Sequence, residues 1–401
     1  MMELEEAQRR ILAVIPPAQP EQIPLSDCYG RILAEAIVSS CDLPAFDNSA
    51  MDGYAVRAAD VESASATNPV RLRLRARIPA GETFSGELAP GECARLFTGS
   101  PLPAGADAVV MQEDTHADPE NADGVIMTDG AKPYENVRLR GEDVKRGTLL
   151  ANAGEWMSAG KISLLAASGV TRISAGKRPS VAMLATGSEL REGGQLLATG
   201  QIYESNRLTL SALARRAGAL PRAFPLVPDN LSDTRHALDE AFQQADIVVT
   251  SGGVSVGEMD FVKAAFEEIG GQLEFWKVAI RPGRPFVFGR FGGKLLFGLP
   301  GNPVSAFVTF LLLVRPALLL SQGATERDLP THPGVLAEPI ANPGERRHFV
   351  RVRIDATGKV FSAGLQASHA LFSLGTANGL VEVKPRTTLA EGTTVSILRW
   401  E

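Results

Sequence analysis

The stretch Ala245-Asp246-Ile247-Val248-Val249-Thr250-Ser251-Gly252-Gly253-Val254-Ser255-Val256-Gly257-Glu258-Met259-Asp260 decides the fold class. Its apolar, β-branched beginning reads as a buried strand. Small residues, glycines and two acids follow, and Phe261 to Ile269 then has helical spacing. Such a junction puts free backbone N–H groups and a helix N-terminus at the carboxyl end of a parallel strand, where open α/β sheets hold anions. Gly252 and Gly253 let the backbone approach a phosphate closely, and Ser251 and Ser255 add hydroxyl donors. A Gly-Gly pair alone also serves as an ordinary turn. No Gly-Lys-Ser/Thr follows and no GxGxxG is present, so this is neither a P-loop nor a dinucleotide fingerprint.

The same alternation runs from residue 177 to 326. Ser180 to Thr186 reads as a strand entering Gly187-Ser188-Glu189-Leu190, and Arg207 to Gly218 as a helix capped by Ser205 or Asn206. Arg222 to Val227 reads as a strand ending at Pro228-Asp229-Asn230, and Leu231 to Gln244 as a helix opened by Ser232 or Asp233. Glu274 to Ile280, Pro285 to Gly289 and Lys294 to Leu299 supply further strands, the last entering Pro300-Gly301-Asn302-Pro303-Val304-Ser305. Strands alternating with helices predict a mostly parallel sheet in a three-layer α/β domain. The loops after its strands are expected to converge on one edge. Glu189, Asp229 and Asp260 would then be poor neighbours for a phosphate unless Mg²⁺ lay between; each acid alone also reads as a helix cap. Lys277, Arg281 and Arg284 bring positive charge from a turn stiffened by Pro282, Gly283 and Pro285, and arginine binds oxyanions in bidentate fashion.

Outside this domain the pattern changes. Glu3 to Ile15 is an amphipathic helix stopped by Pro16-Pro17, and Ile23 to Ser40 is expected to hold a strand and a short helix from Arg31 to Ile37. Cys41 to Tyr54 is a broken, polar loop with the character of a site. Short strands follow at Val70 to Ile78, Ala94 to Thr98, Ala108 to Gln112 and Gly124 to Met127, with Thr98 presenting a hydroxyl at a Pro- and Gly-rich turn. Pro330 to Glu401 returns to short strands and reads as a small β-barrel. The expected organisation is a multidomain α/β plus β chain. A discontinuous first domain (1–45 and 140–176) is interrupted by a β-rich inserted domain (46–139). The α/β domain (177–326) and a C-terminal β-barrel (327–401) follow.

At 401 residues the chain is too long for one core, and 44% hydrophobic with 21% charged residues is ordinary for a globular protein. A formal charge of -6 gives no global field for nucleic acid or anionic membrane, so neither partner is expected. Cys28, Cys41 and Cys93 show no zinc-ligand spacing and read as buried small hydrophobes in a reducing compartment. The acidic N-terminus lacks a signal-peptide core, which points to the cytoplasm. Phe307 to Leu320 is nearly all apolar but is broken by Arg315-Pro316 and short of a span, so a buried helix is expected.

Several motifs together resemble one family, the molybdopterin molybdenumtransferases (the MoeA type, similar to the gephyrin E domain). They are Phe46 to Tyr54, Thr98-Gly99, Val137-Arg138 with Arg140 to Asp143, Thr186 to Leu190, Ser251 to Gly257 with Asp260, Pro282-Gly283 with Pro285, Gly298 to Ser305, and Ser368-His369 with Ala377 to Leu380. The resemblance implies a homodimer of elongated four-domain subunits with a molybdopterin-binding α/β domain. The implied reaction cleaves adenylylated molybdopterin and inserts molybdate into the dithiolene with Mg²⁺, giving molybdenum cofactor and AMP. It implies functional roles for Asp52, Thr98, Arg138, Asp143, Glu189, Asp229, Asp260, Lys277, Arg281, Arg284, Pro300 and Pro303, with Asp52 and Thr98 completing the site from the other subunit. Gly301 and Asn302 share the last loop. Ser188 stands where many relatives have Asp, and Arg281 and Arg284 where lysines are common. A molybdopterin adenylyltransferase and a non-catalytic molybdopterin-binding scaffold are the alternative readings. A molybdopterin adenylyltransferase and molybdoenzyme acceptors are the further partners in view.

Overall fold

A computed structural model of the chain describes residues 1–254 and 261–400. The chain forms two compact units, one of Met1–Glu35, Ala153–Ser158 and Arg172–Glu401, the other of Ala36–Asn152 and Ala159–Thr171.

The larger unit contains a six-stranded sheet ordered Leu220–Ala223, Ser180–Ala185, Ile247–Ser251, Lys294–Leu299, Val287–Phe291 and Gln272–Trp276. The first four strands are parallel, and the last two are joined by antiparallel pairings, so that Val287–Phe291 alone runs against the others. Alternate residues feed opposite faces. Val181, Met183, Val249 and Phe297 pack with helices Asn206–Arg216 and Pro303–Ser321, while Ala182, Leu184, Val248 and Leu296 pack with Leu231–Gln244 and Val262–Glu268. This is the expected three-layer domain. Pro303–Ser321 is long and apolar enough to cross a membrane, yet 83% of its apolar window is buried in the core. Thr309 Oγ1 donates to Ser305 O (2.8 Å) and Ala306 O (3.1 Å), just before a wider π turn at Phe310–Val314.

The same unit ends in a closed five-stranded barrel of Thr331–Leu336, Arg347–Ile354, Lys359–Ser362, Gly379–Val383 and Thr394–Leu398. Leu336, Val350, Val352, Val381 and Ile397 fill it. Two residues of the α/β domain, Ile280 and Arg281, pair in parallel with Arg347 and His348 on the outside of the barrel.

Four local expectations change. No helix forms at 31–37: Arg31 is buried, pairs with Glu21 (2.5 Å) and donates to Gly176 O (2.8 Å), while Ile32 and Leu33 bridge to Trp156 and Ala175. These long-range pairings override helix propensity. The strand expected at 222–227 lies at Leu220–Ala223, in register with Ser180 to Met183. The cap of Leu231–Gln244 is Asn230, whose side chain accepts from Asp233 N (2.8 Å), not Ser232 or Asp233. The expected strand from 274 to 280 divides, because Lys277 adopts φ +69° after Trp276.

The smaller unit holds a six-stranded sheet ordered Ala108–Met111, Gly53–Val56, Glu92–Leu96, Val70–Ile78, Gly124–Met127 and Thr115–Ala117. Gly53–Val56 lies inside this sheet, although the polar run ahead of it reads as a loop. A Cβ at Gly53 would lie 2.2 Å from Val110 O, so only glycine fits. Cys93 and Cys28 are buried as expected, each in its own unit, whereas Cys41 is only half-buried.

Candidate active site

The sheet edge carries a cleft of about 640 Å³. Its described walls include Thr186, Gly187 and Glu189 after one strand, Asp229 after another, Ser251 to Gly253 after a third, and Gly301 to Pro303 after a fourth. The loops that the α/β pattern predicts to converge thus line one cavity. Ser255 and Asp260 lie outside the described residues.

Glycine is required in the floor of this cleft. Gly252 has φ +92° and a Cβ there would sit 2.5 Å from Thr186 O, while a Cβ on Gly253 would sit 2.8 Å from Thr186 Oγ1. Thr186 Oγ1 is buried and has no partner among the described residues. Asn206 joins two loops, its Nδ2 donating to Ser251 Oγ (2.6 Å) and to Gly301 O (2.8 Å), and Ser251 Oγ donates to Pro300 O (3.3 Å). Helices Asn206–Arg216 and Pro303–Ser321 both begin at this cavity and turn their positive dipole ends to it. The result is a cradle floored by backbone, with two helix starts at its wall.

Three carboxylates line the cradle, Glu189, Glu204 and Asp229. Asp229 Oδ2 accepts from Ser188 N and Ser188 Oγ accepts from Asp229 N, both at 3.0 Å, so serine here fastens two strand-end loops together. Glu204 is committed to the helix start, accepting from Arg207 N (2.8 Å) and Arg207 Nε (3.0 Å). Among the described residues no group of three or more His, Cys, Asp or Glu could hold a metal ion. Glu189 and Asp229 instead fit a Mg²⁺ carried on a substrate phosphate, since that ion commonly takes one or two carboxylates besides phosphate and water.

A second cavity of about 410 Å³ adjoins the first, sharing Asn302 and His369 with it. Arg281, Arg284 and Arg346 line it, with Ser305, Gln366 and Ser368. None of the three arginines makes an ion pair among the described residues. Burial first, then the charges of Arg284 and Arg281, push Arg346 below the ordinary guanidinium range. Gly283, at φ +112°, lets the turn pass over the helix: a Cβ would lie 2.4 Å from Thr309 Cγ2. Beside Arg281 on the paired strand, His348 is 4% exposed and neither ring nitrogen has a partner among the described residues. Burial, then Arg281, Arg351 and Arg346, push its imidazole down to about 4.

The far wall of the second cavity is held from behind by Arg351, which is 0% exposed. Its Nη2 donates to Leu365 O (2.6 Å) and Ala367 O (3.1 Å). Gln366 clasps the backbone of Arg351, accepting from its N (3.0 Å) and donating to its O (2.9 Å).

The remaining expected residues stand elsewhere. Lys277 does not line the arginine cavity; its Nζ lies 3.7 Å from the ring centroid of Trp276. Asp52 and Thr98 belong to the smaller unit, where Asp52 Oδ1 accepts from both Thr98 N and Thr98 Oγ1 at 2.8 Å. These bonds, the backbone one foremost, lower the Asp52 carboxyl. Arg138, exposed on a two-residue strand against Asn48, and Asp143, exposed, are in that unit too. None of the four lines either cavity. Arg346 and Gln366 arrive from the C-terminal domain with no local sequence sign of a role, and Asn206 reads in sequence only as a helix cap.

Comparison with known proteins agrees over nearly the whole chain. Residues 2–169 match the MoeA N-terminal region (domain I and II), 182–319 a probable molybdopterin binding domain, and 333–400 the MoeA C-terminal region (domain IV). The chain is 38% identical over 405 residues to the molybdopterin molybdenumtransferase of Haemophilus influenzae, covering 99% of this chain and 98% of that protein. It is 39% identical over 389 residues to molybdopterin molybdenumtransferase 2 of Mycobacterium tuberculosis, covering 96% and 95%. The crystal structure of the molybdopterin biosynthesis moeA protein from Pyrococcus horikoshii OT3 superposes with a TM-score of 0.84 at 30% identity, covering 100% of each chain.

Proposed function

The chain belongs to the molybdopterin molybdenumtransferase (MoeA) family and is a transferase of molybdenum insertion in molybdenum cofactor biosynthesis; we propose that its substrate is adenylylated molybdopterin, cleaved to release AMP as molybdate enters the dithiolene. The observation that carries this reading is the pair of adjoining cavities with a shared wall. A reaction joining a phosphorylated substrate to a tetrahedral oxyanion needs both ligands side by side, and one cavity suits each.

In this reading Gly252, Gly253 and the two helix starts bind the phosphate chain. Arg281, Arg284 and Arg346 bind molybdate, with Ser305 and Ser368 as hydroxyl donors. Glu189 and Asp229, with Asp260, would hold Mg²⁺, which would offset the negative charge of the phosphates. Holding the two ligands in adjacent cavities replaces a chance encounter by a fixed orientation.

We further propose a cytoplasmic homodimer, on the strength of the family resemblance, in which Asp52 and Thr98 of a second copy face these cavities. Their hydroxyl–carboxylate pair is already formed within the chain, which suits a preassembled wall. Lys277, Arg138 and Asp143 are assigned to substrate binding on the same resemblance. The adenylyltransferase reading is not favoured, because the relatives matched over almost their full length are molybdenumtransferases.

The test is AMP release from adenylylated molybdopterin with and without molybdate and Mg²⁺. Release that depends on both supports the reading. Insertion of molybdenum without any AMP formed would exclude the adenylylated substrate, and full activity in the presence of a chelator would remove the metal.

A further inference from the structure

Among the described residues, Asn302 and His369 alone line both the phosphate cradle and the arginine pocket. An amide can offer only hydrogen bonds, whereas an imidazole can take up a proton and return it. We infer that His369 is the catalytic base and acid of the anhydride cleavage. The inference rests on adenylylated molybdopterin being the substrate.

A phosphate chain seated on Gly252 and Gly253 beside an oxyanion in the arginine pocket runs along the wall that His369 forms. The imidazole takes a proton from an attacking water. The water oxygen bonds to one phosphorus of the anhydride, and the bridging P–O bond breaks with its electron pair left on the departing phosphate oxygen. The imidazolium then returns its proton to that oxygen, so the protein ends unchanged. General acid–base transfer of this kind contributes about 10²- to 10⁴-fold.

The segment carrying His369 is fixed at both ends. Ser368 O accepts from Val304 N (3.1 Å), at the start of the long helix, and His369 O accepts from Leu371 N (3.0 Å). Behind it, Arg351 holds Leu365 O and Ala367 O. Such support from buried neighbours is what a group needs to keep a productive position.

Charges of opposite sign line the two cavities that meet at His369. Arg281, Arg284 and Arg346 line the pocket side, and Glu189, Glu204 and Asp229 line the cradle side.

The test compares wild type, His369→Gln and His369→Ala as full-length proteins, following AMP release across a pH series and molybdate binding by equilibrium dialysis. His369→Gln is expected to lower kcat at least about 100-fold, with KM and molybdate affinity within about twofold and one limb of the pH profile gone. Added imidazole is expected to restore part of the rate to His369→Ala. A wild-type rate in His369→Gln overturns the inference, as does a loss matched by equal losses of KM and molybdate affinity with an unaltered pH profile. Wild-type protein that releases no AMP under any condition refutes the underlying substrate reading instead.

Discussion

On the proposed function, the two adjoining cavities receive anions by opposite means. In the cradle two helix starts supply the attraction, and the absence of side chains at Gly252 and Gly253 lets the loop lie tightly against Thr186. In the arginine pocket the donors are three guanidinium groups, and the turn that carries two of them is framed by Pro282, Gly283 and Pro285. The cradle is therefore selective by shape and sensitive to one added methyl group, while the pocket is selective by charge and sensitive to its loss. Salt is expected to weaken the second more than the first.

Removing charge from the pocket is the most severe way to break this division. Arg281→Ala with Arg284→Ala is expected to weaken molybdate binding on the order of 10³-fold, each charged hydrogen bond being worth about 1.5–3 kcal/mol. AMP binding in the cradle should survive, as titration calorimetry would register; equal weakening of both ligands would mean that the cavities are not separate sites.

Next in size is the response of His348, whose imidazole is depressed first by burial and then by Arg281, Arg351 and Arg346. Its folded imidazole, at about 4, lies below the ordinary 6.5, so the unfolded chain binds the proton more readily. The stability it contributes is fully present above the ordinary value and is lost as pH falls from there towards 4. Between pH 7 and pH 5 unfolding free energy should drop by about 2 kcal/mol on this account. Denaturant titrations of His348→Gln should show that part of the slope removed, and Arg281→Ala should reduce it.

In the cradle, Gly252→Ala forces a side chain into a left-handed backbone against Thr186 O, at a cost of about 2 kcal/mol in thermal or denaturant unfolding. Phosphate binding should fall with little dependence on salt. A variant as stable as wild type would show that the loop can shift and that shape is not what this cavity reads.

The mildest change is Asn206→Ala. It deletes two hydrogen bonds that fasten Ser251 to Gly301 and should cost about 1 kcal/mol, chiefly as a raised KM with kcat retained.

How much of this could be read in advance follows from how local each feature is. Strands such as Lys294–Leu299, Lys359–Ser362 and Gly379–Val383 were legible to the residue because apolar runs and flanking turns mark them. The convergence of Glu189, Asp229, Gly252 and Asn302 followed from parallel topology alone. Arg31 to Ile37 misled because burial of an arginine against Glu21 and Gly176 is a long-range event with no local sign. Arg346 stayed hidden for the same reason: it sits in a charged run of the barrel and reaches the pocket only through tertiary pairing. The distinction between Lys277, which faces Trp276, and Arg281 was equally out of reach, since both lie on one short turn.

That pairing, the two rungs between Ile280–Arg281 and Arg347–His348, bears on how such a protein can be inherited. The α/β domain and the barrel look like separable modules, yet the oxyanion pocket is written half in each. A recombinant that exchanged the barrel for another of the same shape would deprive Arg281 of its neighbouring strand and the pocket of Arg346, Gln366 and Ser368 at one stroke. The two halves must therefore change together or not at all, and lineages should carry them as a single evolutionary unit despite the boundary between them.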